Sequence, residues 1–70
     1  MTFQDIKSKL ELGQKIRRAG WDTISFLYKD SARNTIQCNK DGTMQIIENY
    51  DGSIFNWNLF DQQQTDWDLV

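Results

Sequence analysis

Hydrophobic residues near the N-terminus recur at helical spacing. Phe3, Ile6 and Leu10 fall on one face of a helix, while polar and charged side chains occupy most positions between them. Thr2 can cap the first turn by accepting a hydrogen bond from the backbone three residues on. Because Gly13 stands where a left-handed residue would end the helix, the pattern predicts one short amphipathic helix just before it.

After this helix the pattern changes to short runs of β-branched and aromatic residues separated by turn signals. Such runs are typical of strands, and the Asp-Gly pairs at 41–42 and 51–52 supply the positive φ of tight turns. We predict strands at residues 14–18, 24–29, 34–39, 43–50, 53–57 and 66–70. A short helix or turn is expected between the last two. Residues 1–70 should form one α+β domain, with the N-terminal helix packed on a curled antiparallel β-sheet.

Composition limits how this small fold can be stabilised. The 70 residues include one cysteine and no histidine. An internal disulfide is therefore excluded, and a zinc site would depend on carboxylates and one thiol. We expect no metal or cofactor, and a reduced thiol on a strand for Cys38. Small folds without such links commonly pair with copies of themselves, so we expect a homo-oligomer.

Hydropathy and charge limit where the protein can act and which classes of partner it can bind. The N-terminal segment is too polar for a signal peptide, and no apolar run approaches the roughly 20 residues of a membrane span. We therefore expect an intracellular protein without membrane contact. Residues 1–33 carry seven cations and four acids, giving +3, and residues 34–70 carry one cation and six acids, giving −5. This asymmetry suits contact between chains or a local anion site, and makes long nucleic acids unlikely partners.

Each of the three tryptophans offers a large flat ring for a core or for a ligand. Trp21 follows Gly20, and Trp57 lies between two asparagines at a predicted strand end. Small binding pockets form in such places, so both rings remain candidates for core packing and for ligand stacking. Trp67 alternates with Leu69 on the last predicted strand, which favours the core.

Two adjacent arginines must point to opposite faces of a strand. Arg18 shares its face with Ile16, which places it toward the core or a cleft, and Arg17 points to solvent or a partner subunit. An arginine beside a tryptophan can bind a phosphate while the ring stacks on a base, although ordinary solvated charges show the same pattern. No nucleophile–base pair, Gly-rich phosphate loop or metal-spaced cluster is readable, so we predict that the protein is not an enzyme.

Three segments together resemble a known family. They are "F..I...L..G.KIRRAGW" at 3–21, "YDGSIFNW" at 50–57 and "D....DW.LV" at 61–70. In this order they resemble the small phage-encoded Thoeris anti-defence 2-like proteins over nearly the whole chain. The most specific segment is "KIRRAGW" after a short helix and a glycine.

The resemblance implies a sponge in the host cytoplasm. Such proteins bind cyclic nucleotide-type immune signals, notably cyclic ADP-ribose isomers, without cleaving them. They are homo-oligomers, typically tetramers, with pockets where subunits meet and tryptophans stacked on adenine. Phe3 and Asp22 match family positions near the pocket, and Asp61 matches a family acid. The candidate ligand-binding residues are thus Trp21, Trp57, Arg18, Arg17, Asp22, Phe3 and Asp61.

Two other functions fit the same residues. Aromatic side chains and arginines on a curled sheet could stack on the bases of single-stranded nucleic acid, although the acidic second half counts against it. A non-catalytic phage structural or adaptor subunit would use the aromatic side chains as interface.

Overall fold

The computed structural model of the protein describes residues 1–21 and 24–70. It confirms the predicted α+β architecture, with an N-terminal helix on an antiparallel sheet that does not close into a barrel. The elements are α1 (Phe3–Glu11), β1 (Ile16–Arg18), β2 (Phe26–Lys29), β3 (Thr35–Cys38), β4 (Met44–Glu48), α2 (Leu59–Gln62) and β5 (Trp67–Leu69). Across the described ranges, neither helix has the length and apolar character needed to cross a membrane.

The N-terminal helix forms as its pattern predicts. Thr2 Oγ1 accepts a hydrogen bond from the backbone N–H of Asp5 at 3.2 Å, which satisfies one of the free donors of the first turn. Ile6 and Leu10 are completely buried on the side that faces the sheet. The helix ends before Gly13, whose φ of 92° is the left-handed conformation that glycine adopts without strain.

The sheet has the strand order β4-β3-β2-β1-β5. Strands β1 to β4 form a meander, and the crossover segment, residues 49–66, then returns the chain to the opposite edge, where β5 pairs with β1. Ile16 lies opposite Leu27 on one side and opposite Leu69 on the other. These three side chains therefore point to the same side, on which α1 packs against β1, β2 and β5.

Alternation along the strands gives the sheet two different faces. The inner face, which α1 covers, carries Ile16, Arg18, Leu27, Thr35, Trp67 and Leu69. The outer face carries Arg17, Phe26, Tyr28, Ile36, Cys38, Met44, Ile46 and Asp68. The predicted facing of the two arginines is thus confirmed: Arg18 lies on the core side and Arg17 on the other.

The core lies between α1 and the inner face. Its buried side chains are Ile6, Leu10, Ile16, Leu27, Ile47, Trp57 and Trp67. Burying one such side chain stabilises the fold by roughly 1.5–3 kcal/mol. Ile47 follows the outer-face Ile46 on the edge strand β4, so alternation points its side chain into this core. Thr35 Oγ1 is buried there and has no hydrogen-bond partner within the described ranges.

One predicted strand is wrong. Residues 53–57 pair with the sheet only at an isolated bridge between Glu48 and Phe55. Asn49 Oδ1 accepts from the backbone N–H of Ile54 at 2.9 Å, which closes a tight turn, and the chain then leaves the sheet so that Trp57 enters the core. The short helix expected further along is confirmed as α2. The other predicted strands form, although each is shorter than its sequence pattern suggests.

Candidate functional site

Four aromatic rings form a continuous cluster beside α1, which we call the aromatic cluster: Phe3, Trp21, Trp57 and Trp67. Trp67 contacts all the others, with ring centroids 5.4 Å from Trp21, 6.3 Å from Trp57 and 5.9 Å from Phe3. The Phe3 and Trp57 centroids are 5.0 Å apart. These inclined and edge-to-face arrangements are favourable between aromatic rings and make the cluster rigid.

The core position predicted for Trp67 is confirmed, because its side chain is only 2% exposed. Its indole Nε1–H donates to the backbone carbonyl of Asp61 at 2.9 Å. This hydrogen bond joins α2 to the sheet. Asp61, predicted as a ligand-binding residue, therefore helps to position the central ring of the cluster.

Trp57 is buried, with 8% of its surface exposed. Its indole Nε1–H donates to Glu48 Oε1 at 2.5 Å, which fixes the orientation of the ring. Lys7 covers part of the same ring, with Nζ 5.6 Å from its centroid. A base can stack on Trp57 only after a covering side chain moves.

Trp21 lies at the rim of the cluster. Its ring packs edge-on against Trp67 and is half-buried, so part of its surface faces outward. The backbone N–H of Trp21 donates to the carbonyl of Arg18 at 3.0 Å, which holds this residue in a turn directly after β1. The prediction for Asp22 lies outside the described residues.

Arg18 binds two carboxylates from the far end of the chain. Its Nε and Nη2 donate to the two Asp66 oxygens at 2.8 and 3.1 Å, and Nη1 donates to Asp61 Oδ1 at 2.8 Å. The guanidinium lies 5.4 Å from the centroid of the Phe60 ring. The hydrogen bonds from Arg18 hold the pKa of Asp66 below its ordinary value and raise the pKa of Arg18 itself. Arg18 thus fastens α2 and β5 to β1.

Arg17 is much less engaged than Arg18. Within residues 1–21 and 24–70 it makes one long hydrogen bond, from Nη1 to the backbone carbonyl of Trp21 at 3.5 Å. It lies on the outer face opposite Asp68. Of the two arginines predicted to bind ligand, Arg17 makes fewer hydrogen bonds within the described ranges, and its one contact there is to the backbone of Trp21.

Sequence reasoning missed Lys7. Its ammonium lies 5.8, 5.5 and 5.6 Å from the ring centroids of Phe3, Phe55 and Trp57. It also forms an ion pair with Glu48 at 3.2 Å. The one local signal was its spacing, because residues four apart on a helix, such as Phe3 and Lys7, are neighbours on its surface.

An open depression of about 380 Å³ lies on α1 beside Lys7. Its lining residues are Phe3, Gln4, Lys7, Ser8 and Glu11. Phe3 therefore links the aromatic cluster to this depression. In the part of the chain that the structure describes, no three His, Cys, Asp or Glu side chains are close enough to hold a metal ion.

Comparison with known proteins gives one result for the whole chain. A scan against protein-family models matches the Thoeris anti-defense 2-like domain over residues 1–70. The resemblance carried by the three sequence segments is thereby confirmed. A search of curated proteins found no match.

Proposed function

Because the chain belongs to the Thoeris anti-defense 2-like family, which implies a phage role against Thoeris defence, we propose that it is a non-catalytic sponge for immune signals. It binds cyclic nucleotide-type signals in the host cytoplasm, foremost cyclic ADP-ribose isomers, and holds them without cleavage. It works as a homo-oligomer, a tetramer as the resemblance to the family implies. The observation that carries this proposal is the family match over residues 1–70.

The aromatic cluster supports base stacking. Trp21 presents part of its ring at the rim, and the ring is fixed by its edge-on contact with the buried Trp67. A base stacked on an aromatic ring contributes on the order of 1–3 kcal/mol. Because a rigid ring loses little conformational entropy on binding, most of this energy is available for affinity.

The cations near the cluster support phosphate binding. Arg17 makes one long hydrogen bond within the described ranges, to the backbone carbonyl of Trp21, and Lys7 lines the depression on α1. Charge-assisted hydrogen bonds contribute about 1.5–3 kcal/mol each. One base stacked between two aromatic rings and two such bonds would account for tight binding of a dinucleotide-sized ligand.

The engagement of two acids with Arg18 supports binding without cleavage. Asp66 accepts two hydrogen bonds from that guanidinium, which keep the pKa of Asp66 below its ordinary value. Asp61 is bound to the same guanidinium. Both acids serve the fold instead.

The outer face supports assembly. Met44 and Ile46 are 64% and 41% exposed there, next to the rings of Phe26 and Tyr28. A contiguous exposed apolar surface commonly marks an interface. A second copy would cover it, as expected for a domain of this size.

The test measures binding of cyclic ADP-ribose and its linkage isomers by calorimetry, followed by mass spectrometry of the ligand after heat denaturation. We expect at least one isomer to bind and to be recovered intact. Trp21→Ala should weaken binding by about tenfold or more, because one stack is lost. Tyr50→Ala, at an exposed ring in the crossover segment, is the matched control and should bind normally.

Other results would overturn the proposal. Recovery of a hydrolysed ligand would identify an enzyme. Steep weakening by salt, with preference for oligonucleotides, would identify a single-strand binder. If no nucleotide bound or raised the melting temperature, the adaptor function would be favoured.

A further inference from the structure

The ammonium of Lys7 occupies a site built for a flat or cationic group. Three aromatic rings surround it within 5.8 Å, and the carboxylate of Glu48 pairs with it at 3.2 Å. Such a group of rings attracts a cation because the faces of the rings carry negative charge. The protein therefore fills an aromatic cage with its own side chain.

The cage opens into the depression on α1. Phe3 and Lys7 belong to both, and the remaining lining is the helical surface formed by Gln4, Ser8 and Glu11. The depression holds about 380 Å³, within the range of roughly 300–1,000 Å³ typical of small-molecule sites. A ligand in it would lie directly against the ammonium.

The groups that meet here match the parts of a nucleotide. The rings of Phe3 and Phe55 can stack on a base, and Phe55 is 53% exposed. The Glu48 carboxylate can accept hydrogen bonds from a hydroxyl or an exocyclic amino group. The Lys7 ammonium can pair with a phosphate, and its four-carbon stem lets it move several ångströms while α1 stays fixed.

We propose that the depression on α1 is a nucleotide subsite in which Lys7 leaves the cage and binds a phosphate. The base then takes the place of the ammonium against the rings, and Glu48 accepts from the nucleoside. In the unliganded protein Lys7 keeps the site closed and neutralises Glu48. This inference rests on the proposed function, adds Glu48 and Phe55 to its binding residues, and assigns Lys7 a movement out of the cage on binding.

The same helix offers a matched pair of variants. Lys7→Met removes the ammonium but keeps an apolar stem that packs on aromatic rings. Lys9→Met makes the same change two residues along, at an exposed position that forms no ion pair within the described ranges. Each is titrated with the isomer that the wild-type protein binds, at two salt concentrations. Circular dichroism checks that both variants are folded.

We expect Lys7→Met to bind at least tenfold more weakly than the wild type, with a shallower dependence on salt because one charge contact is gone. Lys9→Met should match the wild type. Lys7→Arg, which keeps the charge, should restore most of the affinity. A merely structural role for Lys7 would leave the salt dependence unchanged.

A second measurement needs no variant. When ligand is added to the wild type, the NMR resonance of the Trp57 indole N–H should shift. The reason is that Glu48, which accepts this hydrogen bond, loses its ion pair with Lys7 and contacts the ligand instead. Normal binding by Lys7→Met, or binding with that resonance unmoved, would overturn the subsite and leave the sponge function intact. Absence of binding to any isomer by the wild type would instead overturn the sponge function, and the subsite with it.

Discussion

On the inner face of the sheet Ile16, Leu27 and Trp67 are almost completely buried, whereas on the outer face Met44 and Ile46 remain 64% and 41% exposed. Both faces carry several apolar side chains, and they differ in what covers them. The two helices contact inner-face residues, since α1 packs on β1, β2 and β5 and α2 is joined to Arg18 and Trp67. The two helices cover one face of the sheet, and Met44 and Ile46 on the other face stay exposed.

The largest effect should come from breaking the inner face. Trp67→Ala removes the ring that contacts the rest of the aromatic cluster, and we expect it to lower the free energy of unfolding by about 3–5 kcal/mol. Such a loss would unfold much of a domain this small. Met44→Ala on the outer face should change it by about 0.5 kcal/mol or less. Urea denaturation measures the free energy of unfolding of both variants. Equal decreases in the two would refute the difference between the faces.

An intermediate effect should come from the ion pair that closes the inner face. The pKa of Asp66 is lowered in the folded state, so the unfolded chain binds more protons in acid, and stability falls as pH drops below about 4. Asp66→Asn keeps the shape of the side chain but removes its charge. We expect this variant to have a lower melting temperature than the wild type at neutral pH. Its melting temperature should also fall less than that of the wild type as the pH drops below about 4.

The outer face supplies the control for this acid effect. Asp68→Asn alters a carboxylate that forms no ion pair within the described ranges, and its melting curve should follow the wild type. Some acid sensitivity should persist in Asp66→Asn, because hydrogen bonds from Thr43 and Ser53 also lower the pKa values of Asp41 and Asp51. An unchanged pH profile in Asp66→Asn would show that the Arg18 contacts do not stabilise the fold.

The smallest effect on folding should come from charging the outer face. Met44→Lys should change the free energy of unfolding of the dissociated protein by about 0.5 kcal/mol or less, since the side chain is largely exposed. The variant should instead form weaker oligomers, because a buried lysine without a partner is unfavourable in an interface. Native mass spectrometry should show smaller species than the wild type forms. If Met44→Lys formed oligomers of the same size as the wild type, the interface would not include the outer face at Met44.

Much of the fold was predictable because its signals are local. The cap at Thr2, the left-handed Gly13 and the Asp-Gly turns each depend on backbone conformation over a few residues. Alternation along one strand was enough to place Arg18 on the core side and Arg17 on the other. The predicted strand at 53–57 failed because the burial of Trp57, a tertiary effect, overrides its local β-propensity.

The candidate site was predictable only in part. The residue types near the aromatic cluster were identified from their neighbours and from the family resemblance. The partners of Arg18 were not, since Asp66 and Asp61 follow it by 48 and 43 residues. The cage around Lys7 was missed for the same reason, because Glu48 and Phe55 reach it from another part of the chain.

The helix, the hairpin turns, the facing of the strands and membership of the family follow from the amino-acid sequence alone. The burial of Trp57, the position of Trp21 at the rim and the binding of Arg18 to acids of its own chain arise from the folded arrangement. They depend on the crossover segment, which returns the chain so that β5 pairs with β1. Contacts between such distant segments require the whole fold, whereas turns and caps depend on a few neighbouring residues.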